Sequence, residues 1–407
     1  MAIENLSEDL LMEILWRLPV KTLLQLKSVC KNWYAFIQNP NFIYLHHCRI
    51  ASIAAAENTD CLLVKRFLND GSGGVVLSFV TNETPVEDID ISSTGLDIKH
   101  LQILGPCYGV VCLSRFGLNS PLVLCNPSMK EFRVLPPPAY KNDHITNLGF
   151  GYDHFTGGYK VVRFAMMSTD IPTRGIDEMI EIYDSSTDSW REVHTQSPIQ
   201  SGFHCCHDSY ASWNGDCFWY AYRHHNGGAV IMAFSMTYEV FEQMPVPEVC
   251  LSDQYSEMKL FVLNDSLAMV IYPNWWSNPF FFEPGEFLME KSFDIWVMNE
   301  EDVEVLWTKK FTIGPFQGVD WALGFRQNGE FLVESGYGQM MSYNLNTQER
   351  KEYQVHDQYC QRIKKVNEWF TSASERSPLR RFLPFFVWGF MESLVVALLF
   401  DASHCAI

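Results

Sequence analysis

Two textures follow one another along the chain. Leu10, Leu11, Ile14, Leu15 and Leu18 recur at helical spacing before Pro19, and Val20, Leu23, Leu24, Leu26, Val29, Trp33, Phe36 and Ile37 continue the pattern until Asn39-Pro40. Ser7 is a good cap for the first helix, and Glu8 and Asp9 suit the positive end of its dipole. The apolar stripe is too wide for a lone surface helix. About forty residues cannot bury it among themselves, so an external surface is expected to complete this core.

From Cys61 the stripes give way to short β-branched and aromatic runs divided by Gly, Pro and Asn, which predicts strands and turns. LLVKRF and VVLSFV flank Asp70-Gly71-Ser72-Gly73-Gly74, a hairpin signal. A unit made of an apolar strand end, a polar turn, then an aromatic residue and charge recurs. It reads LCNPSMKEFRVL from Leu124, IYDSSTDSWREV from Ile182, AFSMTYEVFEQM from Ala233 and SYNLNTQERKEY from Ser342, with a longer turn in IWVMNEEDVEVLWTKKF from Ile295. Successive starts lie 58, 51, 62 and 47 residues apart. That is near the period of about 50 of kelch-type blades, and the β region at that period gives about six or seven of them. The expected architecture is mainly β with a small α module: three helices, then a kelch-like β-propeller whose blades cover one another's faces.

The segment from Leu6 to Ile37 resembles the F-box, a three-helix module that docks on the Skp-type adaptor of cullin-based ubiquitin ligases. Leu10, Ile14-Leu15, Leu18-Pro19-Val20, Leu23-Leu24, Val29-Cys30-Lys31 and Trp33 carry the match without gaps, and Ser7 stands where the family usually has Pro. The resemblance implies that Leu6, Leu10, Ile14, Leu15, Leu18, Pro19 and Val20 face the adaptor. The second region is similar to the F-box-associated domain of plant F-box proteins, through GPCYGVVCL at Gly105, GFGYDHFTGGYKVVRF at Gly149, VFEQMPVPE at Val240 and LNDSLAMVIY at Leu263. Its wording resembles S-locus F-box proteins, which in some flowering plants help pollen escape cytotoxic ribonucleases. Four parts are expected: the F-box at 1–45, a linker at 46–60, the propeller at 61–400 and a tail at 401–407. FMESLV, from Phe390, resembles the family's closing strand and would complete the last blade. Trp190, Trp296 and Trp307 are expected in the core.

Composition narrows the chemistry. Hydrophobic residues make up 47% of the 407, enough for a large core, and the formal charge is −18, which repels phosphate backbones and attracts a basic partner. Residues 1–45 hold four acids (Glu4, Glu8, Asp9, Glu13) and four bases (Arg17, Lys21, Lys27, Lys31), so the whole excess lies downstream. The start has no secretory pattern, which places the chain in the cytoplasm, with the nucleus as the alternative. Twelve Cys without a CxxC pair read as reduced thiols. Nucleophile-elbow, P-loop and zincin motifs are absent. Gly149-Phe150-Gly151 opens like a dinucleotide fingerprint, but His154 takes the third glycine's place and the segment reads as a strand. His204-Cys205-Cys206-His207 invites a metal, yet in a strand neighbouring side chains part to opposite faces. Phe382 to Phe400 is mostly apolar, but Pro384 and Glu392 argue against a membrane span.

The implied function is a non-catalytic substrate receptor of a Skp-cullin-F-box ligase, reaching cullin and RING subunits through the adaptor, with no cofactor or metal and no nucleic acid or membrane partner. Its target would be a protein, with a basic S-locus ribonuclease as the candidate. The alternatives are a receptor serving hormone, stress or developmental turnover, and a kelch-like propeller enzyme. Two kinds of loop are candidates for target contact. Acidic ones hold Glu87, Asp88 and Asp90, then Asp177, then Glu300, Glu301 and Asp302; an aromatic one holds Trp275, Trp276 and Phe281.

Overall fold

The computed structural model describes residues 8–18, 20–37, 39, 42, 46, 49, 61–67, 75–81, 84–98, 101–115, 120–127, 130–138, 145–167, 177–194, 204–223, 228–251, 256–273, 290–301, 304–335, 339–353 and 397–400. Three short helices come first: α1 (Glu8–Trp16), α2 (Val20–Leu26) and α3 (Lys31–Ile37). Their core is small. Leu15, Leu23, Ile37 and Phe42 are buried, with Leu11, Met12, Trp16, Leu18, Trp33 and Phe36 packed around them.

Apart from two short 3-10 helices, Ser92–Thr94 and Glu248–Leu251, the remaining described elements are strands. In chain order they are β1 (Cys61–Phe67), β2 (Val75–Thr81) and β3 (Thr84–Ile89); β4 (Leu101–Cys107), β5 (Val110–Arg115), β6 (Val123–Asn126) and β7 (Glu131–Val134); β8 (Ile145–Asp153), β9 (Gly158–Met167), β10 (Asp177–Asp184) and β11 (Ser189–Glu192); β12 (His204–Trp213), β13 (Asp216–Tyr222), β14 (Ala229–Phe234) and β15 (Phe241–Pro245); β16 (Ser256–Leu263), β17 (Ser266–Pro273), β18 (Glu290–Glu301) and β19 (Glu304–Gln317); β20 (Val319–Phe325), β21 (Phe331–Ser335), β22 (Met340–Tyr343) and β23 (Arg350–Glu352); and β24 (Ala397–Phe400). They form six four-stranded antiparallel sheets, so the propeller has six blades, the lower of the two expected counts.

Each repeat unit seen in the sequence is the outer hairpin of a blade: β6–β7, β10–β11, β14–β15, β18–β19 and β22–β23. The first blade is built from both ends of the β region, with β24 antiparallel to β1 in the register Cys61↔Phe400 to Val64↔Ala397. The closing strand therefore lies further along than FMESLV and completes the first blade in chain order; residues 390–395 lie outside the described residues. Four residues of the apolar C-terminal run are thus strand, and no described helix is long and apolar enough to cross a membrane. The first strands β4, β8, β12, β16 and β20 touch in turn, and β24 touches both β20 and β4, which closes the ring.

A separate hydrophobic cluster fills each of the six seams between neighbouring blades. Because side chains alternate across a strand, adjacent residues serve different seams. Val161 packs toward the second blade and Val162 toward the fourth, while Leu63 and its neighbours Leu62 and Val64 divide in the same way. Both sheet faces are covered, so strands such as β17 read as near-continuous apolar runs, here LAMVIY from Leu267. Strand β8 also runs close to the β12–β13 turn of the next blade. A Cβ at Gly151 would stand 2.0 Å from the Gly215 carbonyl oxygen, so only glycine fits there.

The three tryptophans expected in the core are only half-buried, at blade seams. Trp190 and Trp307 donate their indole N–H to Pro136 O (2.7 Å) and Pro245 O (2.8 Å) of the preceding blade. Each keeps its polar edge at the rim while its ring covers the seam.

Candidate functional site

The helical module leaves several large apolar side chains in water. Leu10 is 55% exposed and Ile14 47%, one turn apart on α1, and Val29 and Tyr34 are similarly open. Of the expected adaptor-facing residues, Leu10 and Ile14 are thus available and Leu18 is half-buried. Leu15 is not available, being 0% exposed in the module's own core. The stripe on α1 is wide enough to be divided, and the position next to Ile14 turns about 100° away from it. Val20 begins α2, with its side chain outside the described set, and Leu6 and Pro19 lie outside the described residues. Packing continues past residue 45: His46 Nε2 lies 2.9 Å from Leu18 O, and an Arg49 N–H donates to Trp16 O at 2.7 Å. These bonds satisfy carbonyls left open where α1 ends.

Strand direction sorts the propeller's candidates onto two faces. Turns joining the first to the second strand and the third to the fourth strand of a blade share one face, the turn face; the other connections leave from the opposite, connection face. Asp177 opens β10 on the connection face. Residues 275, 276 and 281 fall between Pro273 and Glu290, strand ends on that same face, and lie outside the described residues. Glu300 and Glu301 end β18 on the turn face; Asp302 lies outside the described residues. The acidic candidates therefore do not converge on one surface.

Several of them are also already engaged. Glu87 pairs with Lys130 of the next blade. Asp88 accepts from Arg66 (2.7 Å) and from Ser78 Oγ (2.5 Å). Asp90 is exposed, and the backbone N–H of Ser92, 2.8 Å away, with the Ser92 hydroxyl holds its carboxyl below the usual value.

The turn face carries a network that sequence reasoning missed. Lys160, 4% exposed at its side chain, reaches Asp153 Oδ2 (2.7 Å), Glu239 Oε1 (2.8 Å) and Met236 O (2.8 Å), using all three ammonium protons. Arg191 also pairs with Glu239. Burial would raise both carboxyls and lower the lysine, but the mutual hydrogen bonds and charges win: Asp153 and Glu239 lie below their usual range and Lys160 above its own. Asp153 further accepts the backbone N–H of Phe155 at 2.8 Å and the Thr156 hydroxyl at 2.9 Å, fixing the β8–β9 turn.

On the connection face Lys291 is buried beside Asp320, with Nζ 3.0 Å from Asp320 O and 3.6 Å from Oδ1, between the rings of Tyr272 and Trp321. Burial lowers this lysine and raises Asp320, each partly offset by the other. His204 to His207 run within β12, and among the described residues no group of three His, Cys, Asp or Glu is placed to hold a metal. Gly149 to Gly151 lie in β8, a strand as read from the sequence.

Comparison with known proteins places both regions. The family model described as F-box associated beta propeller domain matches residues 72–396, and the F-box domain model matches residues 3–45. An Arabidopsis thaliana relative, F-box protein At3g20690, is 25% identical over 97% of this chain and 100% of its own length. F-box/kelch-repeat protein At3g17530 of the same plant is 26% identical over 74% of this chain and 73% of its own. Among solved structures, that of YjhT aligns with a TM-score of 0.38 at 9% identity, over 60% of this chain and 72% of the other, too loosely to carry an argument.

Proposed function

We propose that this chain, which belongs to the family of F-box proteins carrying an F-box associated beta propeller domain, is the substrate-recognition subunit of a Skp-cullin-F-box ubiquitin ligase. The observation that carries the reading is the pairing of an open apolar face, Leu10 and Ile14 on α1, with a ring whose six seams are already sealed. The adaptor covers the first, and the second holds the target. The receptor itself is non-catalytic. Ubiquitin transfer follows from proximity, because holding a target lysine near a thioester made elsewhere in the assembly raises its effective concentration.

The finer reading names the target as a basic protein, with an S-locus ribonuclease as the candidate and the cytoplasm, or the nucleus, as the compartment. It is supported by the sequence resemblance and by the charge of −18, all of it outside residues 1–45. Such a field speeds encounter with a cationic protein and weakens with salt.

Co-purification with a Skp-type adaptor tests the core of the reading. The native chain should retain the adaptor, and Leu10→Asp with Ile14→Asp should lose it while the circular dichroism spectrum stays unchanged. Failure of the native chain to bind removes the proposal. For the target, immobilised chain should retain basic ribonucleases from style extract; retention of other proteins instead would favour a receptor for hormone, stress or developmental turnover.

A further inference from the structure

Two aromatic side chains stand apart from the others among the described residues. Phe155 is 88% exposed and Tyr238 80%, whereas among the described residues no other exposed large hydrophobic exceeds 56%. Both sit on the turn face, Phe155 between β8 and β9 and Tyr238 between β14 and β15. The two turns are neighbours clamped by one buried cation, since Lys160 bonds Asp153 in the first and Glu239 and Met236 O in the second. A Cβ at Gly151, just before the first turn, would lie 2.7 Å from the Met236 side chain in the second. Beside Phe155, His154 Nε2 meets the Tyr108 hydroxyl at 3.3 Å, tying in the second blade, and Asn214 O at 3.1 Å, a second tie to the blade that carries Tyr238. The rings are thus held out on a stiff base. Neither packs in any seam cluster, so folding does not require them. Rigid exposed aromatics bind at low entropic cost and dominate interface energetics.

The local charge selects the partner. Lys160 and Arg191, the cations of these turns, are consumed by Asp153 and Glu239, which leaves that set neutral. Glu242 on β15 is exposed, and Asp216 lies close enough that, after burial itself, Glu242 helps push its carboxyl up. Asp265 is exposed on the adjoining turn of the fifth blade, whose carbonyl accepts from Trp213 Nε1 at 3.2 Å. The surroundings of the two rings are therefore net negative. Aromatic faces beside carboxylates attract guanidinium and ammonium groups and repel acidic ones.

We infer that Phe155 and Tyr238 form the target-docking surface of the propeller, and that its occupant is an extended, arginine- or lysine-bearing segment of the target protein. This rests on the substrate-receptor reading above and moves the contact from the loops expected from the sequence, which are split between the two faces, to two neighbouring turns of the turn face. Guanidinium groups stack on the two rings, Glu242 and Asp265 supply the countercharge, and the Lys160 clamp keeps the rings in place.

The test uses the full chain and fluorescent Arg-Pro, Ser-Pro and Glu-Pro repeat peptides of equal length, read by anisotropy at low and high salt. The Arg-Pro peptide should bind, the Glu-Pro peptide should not, and added salt should weaken binding. Phe155→Ala with Tyr238→Ala should weaken it by at least about tenfold, whereas Leu306→Ala, which removes an exposed apolar residue elsewhere, should leave it unchanged. No binding of the Arg-Pro peptide, equal binding of all three, or an unaltered affinity in the double variant would overturn the inference. So would a dimer of the native chain that the double variant abolishes, because a second copy would then be the occupant. Adaptor retention is measured on the same samples. If it persists while peptide binding fails, only the docking surface is wrong; if the native chain never retains adaptor, the receptor reading falls by itself.

Discussion

The helical module and the propeller solve the same problem in opposite ways. Among the described residues the module gathers four buried apolar side chains and leaves Leu10, Ile14, Val29 and Tyr34 in water. The propeller pairs six sheets around a ring, and each seam buries apolar side chains from two blades. What separates them is closure. A ring can cover every sheet face with another sheet, whereas a short helical run has no further layer of its own to add. Exposed hydrophobics in the module thus mark missing structure, and those on the propeller's turns mark choice.

The contrast can be broken most severely at the ring's join. Removing residues 397–407 strips β24 from β1 and exposes an apolar edge strand, and should lower the thermal midpoint of the propeller by roughly 10 °C or abolish its cooperative transition. A chain beginning at residue 61 should instead melt within about 2 °C of the native propeller, as expected of a unit with its own core.

Next in size is the turn-face clamp. Lys160→Met leaves Asp153, 2% exposed, without its cation, and should cost about 3–5 kcal/mol in urea denaturation. Its pH signature follows from the shifts. Asp153 and Glu239 are depressed in the folded chain, so their contribution is whole above the ordinary values of 3.8 and 4.5 and is lost as pH falls through the lower folded values. Lys160 is raised, so its share is whole below 10.5 and is lost as pH climbs through the higher folded value. The variant should flatten both limbs of a stability-against-pH curve.

Adjacent residues of α1 sharpen the comparison within the module. Leu15→Ala should destabilise it by about 2–4 kcal/mol, as emptying a small core does. Ile14→Ala should change the helical melt by less than about 0.5 kcal/mol while weakening adaptor retention. The smallest effect belongs to the exposed Glu13 to Arg17 pair at 2.8 Å, where Arg17→Ala should cost no more than about 0.5 kcal/mol.

How far the sequence could be read depended on the distance between partners. The outer hairpins showed themselves because strand, turn and strand are contiguous; at the Asp184 turn, the carboxylate that accepts Ser186 N at 2.8 Å is two residues away. The first blade's hairpin, β2–β3, broke the pattern, since its blade borrows a strand from the far end of the chain. Dividing the β region by its period left the count open at six or seven because the stretch between Tyr353 and Ala397 adds length but no described strand. Site residues were harder. Glu87 read as a free acid because Lys130 lies 43 residues on, and Lys160 went unnoticed because Glu239 is 79 away. The one legible signal for the aromatic pair was negative: Phe155 and Tyr238 interrupt polar turns where no core position is due.

The register between Cys61–Val64 and Ala397–Phe400 also imposes a timetable. During synthesis the helical module emerges before the propeller and can begin recruiting its adaptor while the ring still gapes, because β24, which completes the first blade, is made after every other described strand. A message cut short after the helical module and before Ala397 would therefore yield chains able to occupy the ligase yet unable to close the ring that holds prey, a poison for the complete receptor rather than a mere absence of it.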